Sequence, residues 1–83
     1  LQFFINLQVP AVPIADEFAL SAREMEILAY LSEGLSYKMI ADRCHISVHT
    51  VAAHIRKIYE KLHVNSATEA IAKAGRYNAL NRR

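Results

Sequence analysis

Eighty-three residues make one small domain, and an apolar share of 53% is enough for one modest core. The single cysteine, Cys44, excludes an internal disulfide and any multi-cysteine metal site, and it suits a reducing compartment. The net charge of +2 divides unevenly: residues 1–33 carry one base (Arg23) against five acids, for −4, whereas residues 34–83 carry nine bases against three acids, for +6, with all four histidines. That split points the second part toward a polyanion.

The N-terminal apolar stretch is broken by Asn6, Gln8 and Pro10 and does not open on basic residues, so neither a membrane span nor a signal peptide is expected there. The chain begins at Leu1 rather than methionine, as expected of a fragment, a processed product or a trimmed tag. Phe3, Ile5, Leu7 and Val9 alternate with polar positions in a strand-like way, and Pro10 and Pro13 then stiffen the chain. Residues 1–17 are expected to be a linker or tag-derived extended segment, residues 18–80 the folded domain, and residues 81–83 a tail.

Four helices are predicted after that linker. Ser21 with Glu24 three residues on has capping-box spacing, and Ile27, Leu28 and Leu31 form an apolar stripe behind it, with Leu20 just before the cap. Gly34 marks the stop. Ser36 caps a second helix that turns Ile40, Ala41 and Cys44 inward and lasts about two turns. Only His45 and Ile46 separate it from the next cap, Ser47. In the third helix Val51, Ile55, Ile58 and Leu62 fall at i, i+4, i+7 and i+11, so His49, Ala53, Arg56 and Glu60 face the other way. Ser66 and Glu69 mark a fourth helix whose Ala67, Ala70, Ile71 and Ala74 share one face. The fold class is therefore all-α, a four-helix, bundle-like domain.

Two short helices joined by so tight a connection must cross steeply, which is the helix-turn-helix arrangement. His45 falls where such a turn takes positive φ, and histidine is one of the side chains enriched there. In this arrangement the second helix, here about residues 47–63, enters the major groove. Ala52 and Ala53 permit close approach and a thymine-methyl contact. His49 and Arg56 reach base edges, and Lys38, Ser47, Thr50 and Lys57 suit phosphates.

The segments Leu20–Leu28, Gly34–Ala41, Ile46–Ile55 with Lys61 and Leu62, and Asn65–Ala70 resemble, in order and without gaps, the four blocks of the LuxR/FixJ-type (GerE-like) DNA-binding domain. The resemblance implies sequence-specific binding to double-stranded DNA by the C-terminal output domain of a bacterial transcription regulator. It implies a homodimer paired through the fourth predicted helix (Ala67, Ala70, Ile71 and Ala74), an upstream receiver or signal-sensing domain, and a cytoplasmic, nucleoid-associated setting. RNA polymerase stands as a further partner. Thr50, His54 and Lys38 match family positions near the DNA backbone, and Arg56 a frequent base-contacting one. The family often has lysine where this chain has His49 and Ala52, so two cationic contacts are missing, and dimerisation matters more for affinity.

The alternative is a protein-interaction or dimerisation module that keeps the helix-turn-helix as scaffold. A third reading, a sigma-factor-like element, is disfavoured by the four blocks. His45 and His49 have the spacing of a metal pair, but His45 lies in the turn and no carboxylate joins them, so no metal site is expected. No phosphate loop, nucleophile elbow or carboxylate pair occurs, so neither a cofactor nor an enzymatic activity is expected.

Overall fold

Ser21, Ser36 and Ser47 each hold extended backbone and accept the amide of the residue three positions on, and a helix starts behind each of them. The computed structural model describes residues 13–81, with side chains for residues 13–77. Its order is α1 (Ile14–Phe18), α2 (Ala22–Ser32), α3 (Tyr37–Cys44), α4 (Val48–Leu62) and α5 (Ala67–Asn81). No strand occurs among the described residues, so the all-α class holds. The strand-like segment at residues 1–9 and the end of the tail, residues 82–83, lie outside them.

The capping box of α2 is complete: the Glu24 amide donates to Ser21 Oγ at 3.1 Å, and the Ser21 amide donates to Glu24 Oε1 at 2.8 Å. At α5 the box is offset. The Glu69 amide donates to Ser66 Oγ at 3.2 Å, but Glu69 Oε1 accepts from Asn65 N at 2.6 Å, one residue before the cap.

The helix ends share one device. After α1, α2, α3 and α4 a residue turns left-handed (Ala19, Gly34, His45 and His63, φ 57°, 87°, 58° and 59°). The next amide then reaches back five residues: Leu20 to Ala15 O (2.9 Å), Leu35 to Tyr30 O (3.1 Å), Ile46 to Ala41 O (3.1 Å) and Val64 to Tyr59 O (3.0 Å). This is the Schellman closure. Only Gly34 adopts it without a steric cost.

One expectation needs correction. Residues 14–17 are not an extended linker, because they lie in α1. The amides of Asp16 and Glu17 both donate to Pro13 O at 3.0 Å, and Ile14 is buried. Phe18 meets the Tyr77 ring edge-on, with centroids 5.6 Å apart and planes at 72°. The apolar positions Ile14 and Phe18, one turn apart, thus anchor a helix turn on the domain, and the packed unit begins before residue 18.

Helix α2 packs on α3, α4 and α5, and α4 also packs on α3 and α5. Ile27, Ile40, Val51, Ile55, Ile58 and Leu62 are the largest fully buried side chains. All four stripe residues of α4 are thus buried, in the one core cluster that also holds Ala41 and Cys44 of α3. This burial holds α4 with one face in and the other out.

Candidate nucleic-acid interface

Helix α4 presents two parallel ridges outward, because residues four apart line up on a helix surface. Val48, Ala52 and Arg56 form one, and His49, Ala53 and Lys57 the next. Val48, His49, Ala53, Arg56 and Lys57 are exposed, and Ala52 is half-buried. Each ridge therefore has a small middle and a cation toward the helix C-terminal side. Along the flank, Thr50 is exposed and His54 half-buried. Lys38, in the first turn of α3, is also exposed.

The N-termini of α3 and α4 carry further hydrogen-bonding capacity. Ser36 takes the Met39 amide at 3.2 Å and Ser47 the Thr50 amide at 3.1 Å. The amides of the first two residues of each helix lie ahead of those caps, where an intrahelical acceptor does not exist. Ser47 Oγ and Thr50 Oγ1 are 3.0 Å apart. One hydroxyl donates to the other, and the second keeps its proton for an outside acceptor.

Arg56 is not engaged by Glu60 one turn on. The ion pairs among the described residues are Arg23–Glu26 at 3.2 Å and Lys61–Glu24 at 2.7 Å. The guanidinium is thus available to an external anion or base edge.

Three polar contacts fix α4 from behind. Lys61 Nζ donates to Glu24 Oε1 and, at 3.0 Å, to Ala19 O, tying the far half of α4 to the α1–α2 corner. Glu24 is buried, which alone would raise its pKa. The Lys61 ammonium and the Ser21 backbone and hydroxyl outweigh this and hold the carboxyl below its ordinary value. Lys73 Nζ donates to Leu62 O at 2.6 Å, capping the end of α4, and sits 4.6 Å from the centre of the Phe18 ring. Burial and the neighbouring Tyr37 phenol push the Tyr59 hydroxyl up to about 12, so it stays neutral where α4 faces the start of α3.

Two residues assigned to pairing between subunits are placed elsewhere. Ala70 and Ala74 are buried in the chain's own core, where α5 meets its neighbours, so they offer nothing to a second copy. Ala67 and Ile71 are half-buried. A residue the sequence reading passed over is Val48, 45% exposed in the first turn of α4. Its signal was available: it continues the Val51–Leu62 spacing by one turn, into the first turn of α4, where the core no longer covers it fully.

A hollow of about 370 Å³, lined by residues including Ile14, Met25, Leu28 and Ala74, lies between α1, α2 and α5, away from these ridges. The outward face of α4 is convex, which suits a groove in a partner rather than a small ligand. No group of three or more potential metal ligands occurs among the described residues, and no helix there is long and apolar enough to cross a membrane.

A tight two-helix unit backed by further helices, with a cationic convex face, defines a helix-turn-helix domain built to meet nucleic acid. The chain belongs to the luxR family of bacterial regulatory proteins, which matches residues 19–74, and is a DNA-binding domain of transcription regulators. Its relatives include the response regulator protein VraR of Staphylococcus aureus, Staphylococcus saprophyticus and Staphylococcus epidermidis. Each is 39% identical over 61 residues, covering 74% of this chain and 29% of the relative. The chain thus spans less than a third of the length of those proteins.

Proposed function

We propose that this domain binds specific double-stranded DNA sequences as a dimer, with α4 in the major groove and its N-terminal half over base edges. The observation that carries this is the outward face of α4, where exposed His49, Ala53, Arg56 and Lys57 stand on a helix whose opposite face is buried. Arg56 is the principal base reader, His49 and Ala53 lie within reach of bases, and Lys38, Ser47, Thr50, His54 and Lys57 hold the phosphates.

Pairing through α5 falls to its outer residues, Ala72, Gly75 and Arg76, with Ala67 and Ile71 at the edge. The relatives are response regulators more than three times as long as the aligned segment, which supports a regulatory domain elsewhere in the same protein, signalling through a two-component pathway. In that setting the domain works in the cytoplasm, on promoter DNA, near RNA polymerase.

Selection of bound duplexes from a random pool, followed by anisotropy titration, tests this reading. The expected result is a shared sequence, bound more tightly than random DNA, with two half-sites spaced by about one helical turn or a multiple of it. An absence of binding at low salt overturns it. A protein-interaction role draws support from the exposed Met39 and Tyr37 on α3. An affinity for DNA that falls steeply with salt counts against that role.

A further inference from the structure

Val48 is an apolar side chain that the fold does not use. It is 45% exposed, whereas Val51, three residues on, is fully buried. Valine is also a poorer helix former than alanine at an exposed position. At i−3 from Val51 it stands at the edge of the buried stripe, yet in the first turn of α4 nearly half of it remains in solvent. Its neighbours do point to an occupant. It heads the ridge that continues through Ala52 to Arg56, and His49, the next residue, heads the adjacent ridge. An apolar group set among groups that hydrogen-bond to a polyanion matches one feature of duplex DNA. The only apolar substituent in the major groove is the thymine 5-methyl group. The first turn of a recognition helix is also the part that comes nearest base edges.

We propose that Val48, with the half-buried Ala52 one turn behind it, forms a hydrocarbon notch that reads a thymine methyl and so helps to set the sequence preference. This rests on the DNA-binding reading above and adds a specificity-determining residue to it. Arg56 would recognise its base by hydrogen bonds, and Val48 its base by excluding water from a methyl group. In the second role the discriminating atom is one carbon.

That carbon can be removed without touching any hydrogen-bonding edge, by replacing thymine with deoxyuridine. The experiment walks deoxyuridine through the thymines of the selected site and measures affinity by anisotropy, for the chain and for Val48→Ala. Loss of one buried methyl contact corresponds to about a fourfold weakening. The expected pattern is one position per half-site where deoxyuridine weakens binding of the chain by about that factor. Val48→Ala should weaken binding to the thymine duplex to a similar extent and be indifferent to deoxyuridine at that position. The variant's circular dichroism melt should match or exceed that of the parent, because Val48 lies outside the core. If the chain binds a specific site but Val48→Ala leaves every deoxyuridine effect unchanged, the notch is overturned while DNA binding stands. The same holds if Val48 serves a protein partner. If no duplex is selected, both readings fall.

Discussion

Arg56 shows how much rests on single side chains in this interface. With alanines at positions 52 and 53, it and Lys57 are the full cations on the outward ridges of α4. Arg56→Ala should cost about 1–3 kcal/mol of binding to the selected site and relax preference at one base pair, read by titration against single-substituted duplexes. Lys57→Ala should act differently. It should weaken binding to all sequences alike and reduce the slope of log K against log salt by about one. Away from the interface, His63 occupies a left-handed turn (φ 59°) on an exposed surface. His63→Gly relieves its side chain of that conformation and should stabilise the fold by about 0.5–1 kcal/mol, seen as a higher urea midpoint at unchanged slope.

The elements differ in how far the sequence alone discloses them. The starts of α2, α3, α4 and α5 were legible because a serine side chain does the capping at each, reinforced at α2 and α5 by a glutamate three residues on. The ends were legible at Gly34 and His45 for the same local reason. Helix α1 was not. A five-residue helix is too short to show periodicity, and its anchor, Phe18 on Tyr77, joins residues 59 positions apart. The inward and outward faces of α4 followed from the spacing of Val51, Ile55, Ile58 and Leu62. In α5, by contrast, the shared face of Ala67, Ala70, Ile71 and Ala74 reads equally as core or as a subunit contact, and only the packed structure shows Ala70 and Ala74 in the core.

The Lys61–Glu24 link was equally hidden, since it spans 37 residues. It holds α4 to α2, and its stability contribution has a definite sign with pH. The Glu24 carboxyl titrates lower in the folded chain than its ordinary value of 4.5, so the native state favours the charged form. That contribution is complete above the ordinary value and is lost as pH falls through the lowered one. Lys61→Met leaves the carboxylate buried without its ammonium. It should cost about 1–2 kcal/mol, at the low end for a charged hydrogen bond because Lys61 is partly exposed, and should move acid unfolding to higher pH in a melt series.

At the scale of the whole molecule, α4 is braced at its C-terminal end by two ammonium groups that are not part of the proposed interface. Lys61 joins it to the α1–α2 corner, and Lys73 caps its last turn while lying over Phe18 of α1. Phe18 and the α1–α2 corner therefore both bear on the α4 support, so disturbing α1 should lower DNA affinity without touching a DNA-facing residue. Phe18→Ala tests this: affinity should fall while the circular dichroism spectrum stays helical. The domain also carries its own chemical clock. The one thiol in the chain, Cys44, lies buried at the end of α3, in the core that α3 shares with α4. A thiol reagent reaches it only during excursions in which α3 lifts away, so the rate of Cys44 labelling counts those openings. In the folded chain labelling should run on the order of a hundredfold or more slower than in denaturant. A duplex lying across both helix N-termini should slow it further, reporting occupancy from inside the protein with no dye on the DNA.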